Sequence, residues 1–350
     1  MKPTKEAYYK RHFKEMTGSR HIDDYSDNKI IRLFKRVLHF LPNDGKLYKY
    51  RKGEGQDFDY AYDSLENGYL WLADATTLND TADCCLHIDE ELNKNEIEEV
   101  ISKHYIDSLL FVFERNKNLL FKSSFDLKTF KTALSFYDKS TLRIDKRKAI
   151  CCFQSYGFAL CGINEYLNEI DTIIRPFAND KQKLIDEIIN AFNHFNNEAR
   201  KMFKVLSLSE SSSLKNMWSE YAGGCGFCIE YDFNKALRMD ASVIRKLISI
   251  YKVTYSDERK PYSFAKDIEN LIMKKGCGSN GRFVKELITK STKWKDELEW
   301  RLLLCEIDNK LYSDLVNAII LDNAFASTIN GKKILKLAAE RNWTAIIRDS

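Results

Sequence analysis

Hydrophobic residues in this chain change period twice, and that change constrains the fold more than any single motif. Around 45–73, and again from 204 onward, apolar residues alternate with polar ones or gather in short runs: "GKLYKYR" at 45–51, "YLWLA" at 69–73, "KVLSLS" at 204–209, "GFCIEYD" at 226–232, "ISIYKVTY" at 248–255, "NAIIL" at 317–321 and "TAIIR" at 344–348. Such short runs are the mark of strands. Between roughly 90 and 203 apolar residues recur at helical spacing, with Leu184, Ile185, Ile188, Ile189, Phe192 and Phe195 on one side of a long amphipathic helix. Strands at both ends and helices between them predict an α+β chain whose mixed sheet is interrupted by a large helical insertion. The expected organisation is an N-terminal helical extension over 1–44, then a single α+β domain over 45–350 that carries 90–203 as an insertion layer. In the extension, Asp27 is expected to cap a helix bearing Ile30, Phe34, Val37 and Leu41 and ending at Pro42.

At 350 residues, 44% of them hydrophobic, the chain can bury a sizeable core. Its 55 basic and 51 acidic residues nearly cancel, to +4, which neither demands nor excludes nucleic acid. No apolar run approaches the ~20 residues of a membrane span. The start, "MKPTKEAYYKRHFKEM", has no apolar signal core, so the nine cysteines are expected as reduced thiols in the cytoplasm. Cys225 and Cys228 form a C-x-x-C without a second ligand pair, and strand alternation sends them to opposite faces, so no metal is expected. No nucleophile elbow, phosphate loop or dinucleotide-binding glycine turn occurs.

The segment "KWKDELEWRLLL" at 293–304 carries the strongest candidate site. Read as a strand, it puts Glu297, Glu299 and Arg301 on one face and Leu298, Trp300 and Leu302 on the other, with the two carboxylates about 7 Å apart. An acidic i,i+2 pair is weak by itself, since about seven arise by chance from 51 acidic residues in 350. Trp294 before it, the strand pattern and Arg301 after it single this one out. A half-solvated strand is the rival reading, as is a helix in which Glu297 and Arg301 pair at i,i+4. Trp218 and Tyr221 share a helical face beside Met217 and read as core packing next to the site. Asn79 and Asp80 end a loop after a strand, where turn formation explains them equally well.

Taken in order, Leu47-Tyr48-Lys49-Tyr50, Asn79-Asp80, M-W-x-x-Y-A (Met217, Trp218, Tyr221, Ala222), G-x-x-I-x-Y (Gly226, Ile229, Tyr231), V-x-Y (Val253, Tyr255) and W-x-x-E-x-E-x-R (Trp294, Glu297, Glu299, Arg301) resemble bacterial domain-of-unknown-function family 2971. The likeness covers about 45–325, with a poor match over 85–200, and it implies no secure activity. More distantly, Tyr50-Arg51, Ser207-Leu208-Ser209 and Glu297-Leu298-Glu299 resemble the aromatic-Arg, Ser-x-Ser and Glu-x-Glu motifs of Arg–Ser–Glu type ADP-ribosyltransferases, with Leu208 where that family usually has Thr.

This second resemblance implies the split sheet of that fold and NAD as substrate. The partner it implies is an acceptor that is a protein or a nucleic acid, with no membrane involved. Glu299 would hold the nicotinamide ribose and favour its cation, Glu297 would orient or deprotonate the acceptor, and Arg301 would organise both. Arg51, beside Tyr50, would pair with NAD phosphate, while Ser207 and Ser209 would support the glutamate and cofactor. Trp218, Tyr221, Asn79 and Asp80 fall on the cofactor side of that site. A bacterial toxin or phage-defence effector is the biological role implied. Two other classes stay open: a non-catalytic protein- or nucleotide-recognition module, and a metal-dependent nuclease or hydrolase using Glu297, Glu299 and Asp80 as oxygen ligands.

Overall fold

A computed structural model describes residues 4–18, 22–78, 83–84, 86–87, 89–115, 127–138, 143–155, 160–273, 281–305 and 308–349. The chain divides into two units, one built from Met1–Leu86, Glu198–Lys260 and Ser279–Ser350 and the other from His87–Asn197 and Pro261–Gly278.

The first unit begins with helices α1 (Lys5–Met16) and α2 (Asp27–Phe40). Ser26 caps α2 by accepting the Lys29 amide, which corrects the expected Asp27 cap. Asp27 lies one residue inside, where its charge still favours the positive end of the helix. Ile30, Leu33, Phe34, Val37 and Phe40 recur at helical spacing and are buried. Pro42 pushes Leu41 into extended backbone (ψ 144), so the helix stops there.

Next come β1 (Lys46–Lys52), α3 (Gly55–Glu66), β2 (Ala73–Asp74), β3 (Phe203–Ser209), α4 (Lys215–Glu220), β4 (Gly226–Asp232), β5 (Ile250–Lys252), β6 (Glu299–Cys305), β7 (Val316–Asp322), α5 (Ile329–Glu340) and β8 (Thr344–Arg348). The sheet runs β8-β7-β4-β1-β3-β6-β5, with β2 added on β3. β7 and β8 are parallel, as the crossover through α5 requires, and the other pairs are antiparallel, so the chain is α+β with a mixed sheet. β1 pairs with β4 from Lys46 to Lys52, and β3 with β6 from Phe203 to Ser209, yet β1 meets β3 only at Tyr48–Ser209. Two well-laddered blocks therefore share a single ladder pair.

The glycines of "AGGCGF" make the β1–β4 approach possible. Gly223 and Gly224 adopt positive φ (65° and 69°), and a Cβ on Gly226 would lie 2.3 Å from the Arg51 carbonyl oxygen. One sheet face, with Leu206, Leu208, Phe227, Ile229, Trp300, Leu302 and Ile319, packs on the apolar stripe of α2. Trp300 stacks on Phe40, their ring centroids 6.0 Å apart. Each such side chain contributes roughly 1.5–3 kcal/mol through burial. The opposite face carries Tyr48, Tyr50, Cys228 and Ile320, and it also holds the polar residues of the candidate site.

The second unit is mainly helical, with helices at Glu90–Lys103, Tyr105–Arg115, Leu127–Leu134, Lys146–Ser155, Leu160–Asn179 and Ala265–Ile272, and a short hairpin of Tyr137–Asp138 with Arg143–Ile144. Buried Asn93 ties two of its segments together, donating to the Tyr262 carbonyl at 2.9 Å and accepting the Phe264 amide at 2.8 Å. Among the described residues, no helix is long and apolar enough to cross a membrane.

Candidate functional site

The strand bearing Glu299 starts later than the alternation predicts. Ser291 opens a 3-10 turn over Thr292–Glu297 by accepting the Lys293 amide. Asp257 holds that turn, accepting from the Ser291 hydroxyl at 2.8 Å and the Thr292 amide at 2.9 Å. Leu298 then adopts a left-handed conformation (φ 49°, ψ 51°) before β6 begins at Glu299. The expectation of one continuous strand with Leu298 anchored in the core is corrected: Glu297 belongs to the turn, and Leu298 is 37% exposed. Left-handed backbone costs a residue like Leu about 1–2 kcal/mol. The bend folds Glu297 back beside Glu299, so that Lys290 Nζ donates to Glu297 Oε2 at 2.6 Å and to Glu299 Oε2 at 3.1 Å.

Lys290 is placed by a short parallel pairing of Thr289–Lys290 with Thr254–Tyr255. The Tyr255 hydroxyl accepts the Glu299 amide at 2.8 Å, which fixes where β6 starts. Arg301 is fully buried and every nitrogen of its guanidinium has a partner. Nε and Nη2 grip the two oxygens of Glu299 at 2.8 and 3.2 Å, and Nη2 also reaches Asp83 Oδ2 at 2.6 Å. Nη1 donates to the Leu287 carbonyl at 2.7 Å and to Cys84 Sγ at 3.1 Å. Such a bidentate grip is among the stronger polar contacts a protein makes.

Three buried carboxylates, Asp83, Glu297 and Glu299, thus share two cations, Lys290 and Arg301. The imbalance falls unevenly. Burial works to raise the Glu299 carboxyl, but Arg301 and then Lys290 overcome it and hold the group at about 2. Glu297 goes the other way: burial raises it above the usual carboxylate range, and the hydrogen bonds from Lys290 and Tyr221 only partly offset that. Burial alone would lower Lys290, yet Glu299 and Glu297 keep it above the usual lysine value. The Tyr221 hydroxyl donates to Glu297 Oε1 at 2.6 Å, and burial followed by that carboxylate raises the phenol. Two carboxyls driven apart in this way can divide their labour, one exchanging a proton while the other stays charged.

The residues singled out in the sequence fall into three places. Ser207 hydrogen-bonds the Glu299 carboxylate, and the Ser209 hydroxyl donates to the Glu297 carbonyl at 2.8 Å, so both belong to the cluster with Tyr221. Tyr50 and Trp218 form a neighbouring packing unit, edge to face with centroids 5.3 Å apart. Their polar atoms fasten the loop before α4: Trp218 Nε1 donates to the Ser212 carbonyl at 2.8 Å and Tyr50 to the Ser211 carbonyl at 2.8 Å. Arg51 is not brought to the carboxylates. It pairs in register with Phe227, on the sheet face packed against α2, whereas Tyr48, Ser209 and Glu299 lie in register on the other face. Its Nε is buried without a hydrogen-bond partner among the described residues. Asn79 and Asp80 lie outside the described residues.

Lys290 and Asp83 join the site without any marker in the sequence, because their partners are distant strands and loops, whereas Tyr255 comes from the V-x-Y motif. Lys49 also comes near. It donates to the Ser207 carbonyl at 2.9 Å, and burial, followed by the charge of Arg51, pushes it down to about 7. Among the described residues, no group of three or more His, Cys, Asp or Glu is arranged to hold a metal ion. The Lys290 ammonium fills the position between Glu297 and Glu299.

No curated protein and no solved structure matches the chain. A family model described as "Protein of unknown function (DUF2971)" matches residues 217–302, a segment that contains Trp218, Tyr221, Lys290, Glu297, Glu299 and Arg301. Over that segment, the match supports kinship with the DUF2971 family.

Proposed function

We propose that this cluster is the reaction centre of an ADP-ribosyltransferase-like enzyme that uses NAD as substrate. The observation that carries the reading is the split pair of carboxyls on one ammonium: Glu297 raised and in contact with Tyr221, Glu299 depressed and locked by Arg301. Glycosyl transfer from NAD breaks the nicotinamide–ribose bond, with both electrons leaving on nicotinamide, and positive charge develops on the sugar. A fixed negative charge nearby stabilises that cation. The acceptor, a protein or nucleic-acid group, forms the new bond to the sugar carbon and gives its proton to a base. A carboxylate of raised pKa is a better base than an ordinary one.

The geometry reassigns the roles that the family resemblance implies. Glu299 already spends its oxygens on Arg301, Lys290 and Ser207, so in this reading it sets the field and does not itself grip the ribose. Glu297 takes the acceptor's proton. Arg51 has no role in this reading, since it lies on the sheet face packed against α2. Such a chemistry suits a toxin or phage-defence effector.

The test is consumption of labelled NAD, with and without cell lysate, by wild type and by Glu297→Gln. The variant should lose about 10²–10⁴-fold in rate while still folding, the usual contribution of a general base. A folded wild type that consumes no NAD with any lysate fraction removes the reading. The saturation of Glu299 by Arg301 favours a second reading in that event, a non-catalytic recognition module whose charged cluster stiffens the sheet.

A further inference from the structure

The first unit has a second charged region, and its chemistry is different. An open cleft of 450 Å³ lies on α1 and α2, lined by five cationic side chains and a single carboxylate, Glu15. Arg32, Lys35, Arg36 and His39 recur at i, i+3, i+4 and i+7 on α2, so one helical stripe carries them all, opposite the apolar stripe that enters the core. Arg11 faces the same cleft from α1. Glu15 is already taken by Lys29 and Arg36, the latter at 2.6 Å. Arg11, Arg32 and Lys35 are exposed and have no ion-pair partner among the described residues. Several other cations of this unit do pair with anions, Lys46 with Glu230, Arg245 with Asp27 and Lys252 with Glu210.

Like charges three and four residues apart on one helix face destabilise it, so an unmatched stripe needs a reason beyond folding. A flat aromatic pair sits in the same cleft, Tyr8 stacked on His39 with centroids 5.2 Å apart and planes 18° from parallel. Unpaired cations tracking a groove beside an aromatic surface are the features that hold a polynucleotide, the cations on its phosphates and the rings against a base. From position 29 to 39 the stripe runs about 15 Å, enough to meet more than one phosphate of a strand.

We infer that the α1–α2 cleft binds single-stranded nucleic acid through its phosphate backbone, independently of whether the Glu297–Glu299 site is catalytic. Base contacts are too few for sequence reading, so binding is general and salt-dependent. Three free cations predict a slope of about −2 in log K against log salt.

The test uses the full chain and fluorescein-labelled single-stranded 20-mers, titrated between 50 and 200 mM salt, wild type against Arg11→Ala/Arg32→Ala/Lys35→Ala. Supporting results are binding with that slope, an affinity at least about tenfold weaker in the triple variant at 50 mM salt, and little competition from equimolar ATP. Absence of binding at 50 mM salt, equal affinity in the variant, or full displacement by ATP would overturn it, the last pointing to a mononucleotide site. Anionic vesicles captured in preference to the oligonucleotide would also overturn it. Because these residues lie outside the buried cluster, NAD consumption by the triple variant in the absence of an acceptor should match wild type, which separates failure here from failure of the transferase reading.

Discussion

Two charged regions of the same unit obey opposite rules. Around Arg301 the charges are buried, each has a partner, and the guanidinium alone makes five contacts. In the α1–α2 cleft cations outnumber the one carboxylate, and three of them, Arg11, Arg32 and Lys35, are exposed and lack a counter-ion among the described residues. The first region cannot lose a member without stranding a charge in a low-dielectric interior. The second can lose several, since water already solvates them. Burial makes a charge structural, and exposure without a partner leaves it free for a ligand.

The contrast is most exposed to Arg301→Met. Removing the guanidinium strands Glu299 and Asp83, so unfolding stability should fall by about 3–5 kcal/mol, read from the urea midpoint. A variant as stable as wild type would show that the cluster relaxes its charges by protonation or water entry. The acid limb of the stability curve comes next. Glu299 is depressed to about 2, so the stability it contributes is present above the ordinary carboxylate range and is lost as pH falls from there toward 2. Its contribution is on the order of 3 kcal/mol, so Glu299→Gln should flatten that limb. Glu297 is raised, so its contribution runs the other way, present below the ordinary carboxylate value and lost as pH rises through its folded value. Melting curves of Glu297→Gln should therefore gain on wild type as pH rises, and equal pH profiles would dissolve the split between the two carboxyls.

A smaller effect belongs to the bend between them. Leu298→Gly removes a left-handed leucine while giving up little burial, so stability should rise by about 0.5–1 kcal/mol. A loss instead would mean that its side chain packs more firmly than its exposure suggests. Smallest of all, Arg11→Ala/Arg32→Ala/Lys35→Ala should shift unfolding by no more than about 0.5 kcal/mol. A larger drop would make that stripe structural and erase the contrast.

Much of the fold was legible because periodicity is a local property. The apolar stripe of α2 and the strands at 46–52, 203–209, 226–232 and 344–348 stand close to where alternation and helical spacing put them. The expected strand over 248–255 splits instead at Val253, whose amide donates to the Glu299 carbonyl at 3.0 Å. Of the site, Glu297, Glu299, Arg301, Ser207 and Tyr221 come together, since short motifs on neighbouring strands and on the helix beside them carry them. Asp83 lies 218 positions from Arg301, and nothing near it announces the contact. Leu298 misled for a different reason: leucine rarely enters left-handed backbone, so alternation reads straight through it. Arg51 could not be assigned a face before the β1–β4 register was known, because a shift of one residue turns every side chain over.

The position of β1 in the sheet, between strands made much later in the chain, has a kinetic side. β1 is complete at Lys52, but the strands that flank it, β3 and β4, begin only at Phe203 and Gly226. At ~5–20 residues per second on a ribosome, about 150 residues of intervening chain take on the order of 8–30 s to emerge. For that time α2 and β1 hold an apolar stripe and two unpaired strand edges with no partner yet made, a state open to aggregation. Pulse-labelled nascent chains halted just before 203 should therefore stay protease-sensitive over their first 52 residues, and those halted after 232 should not.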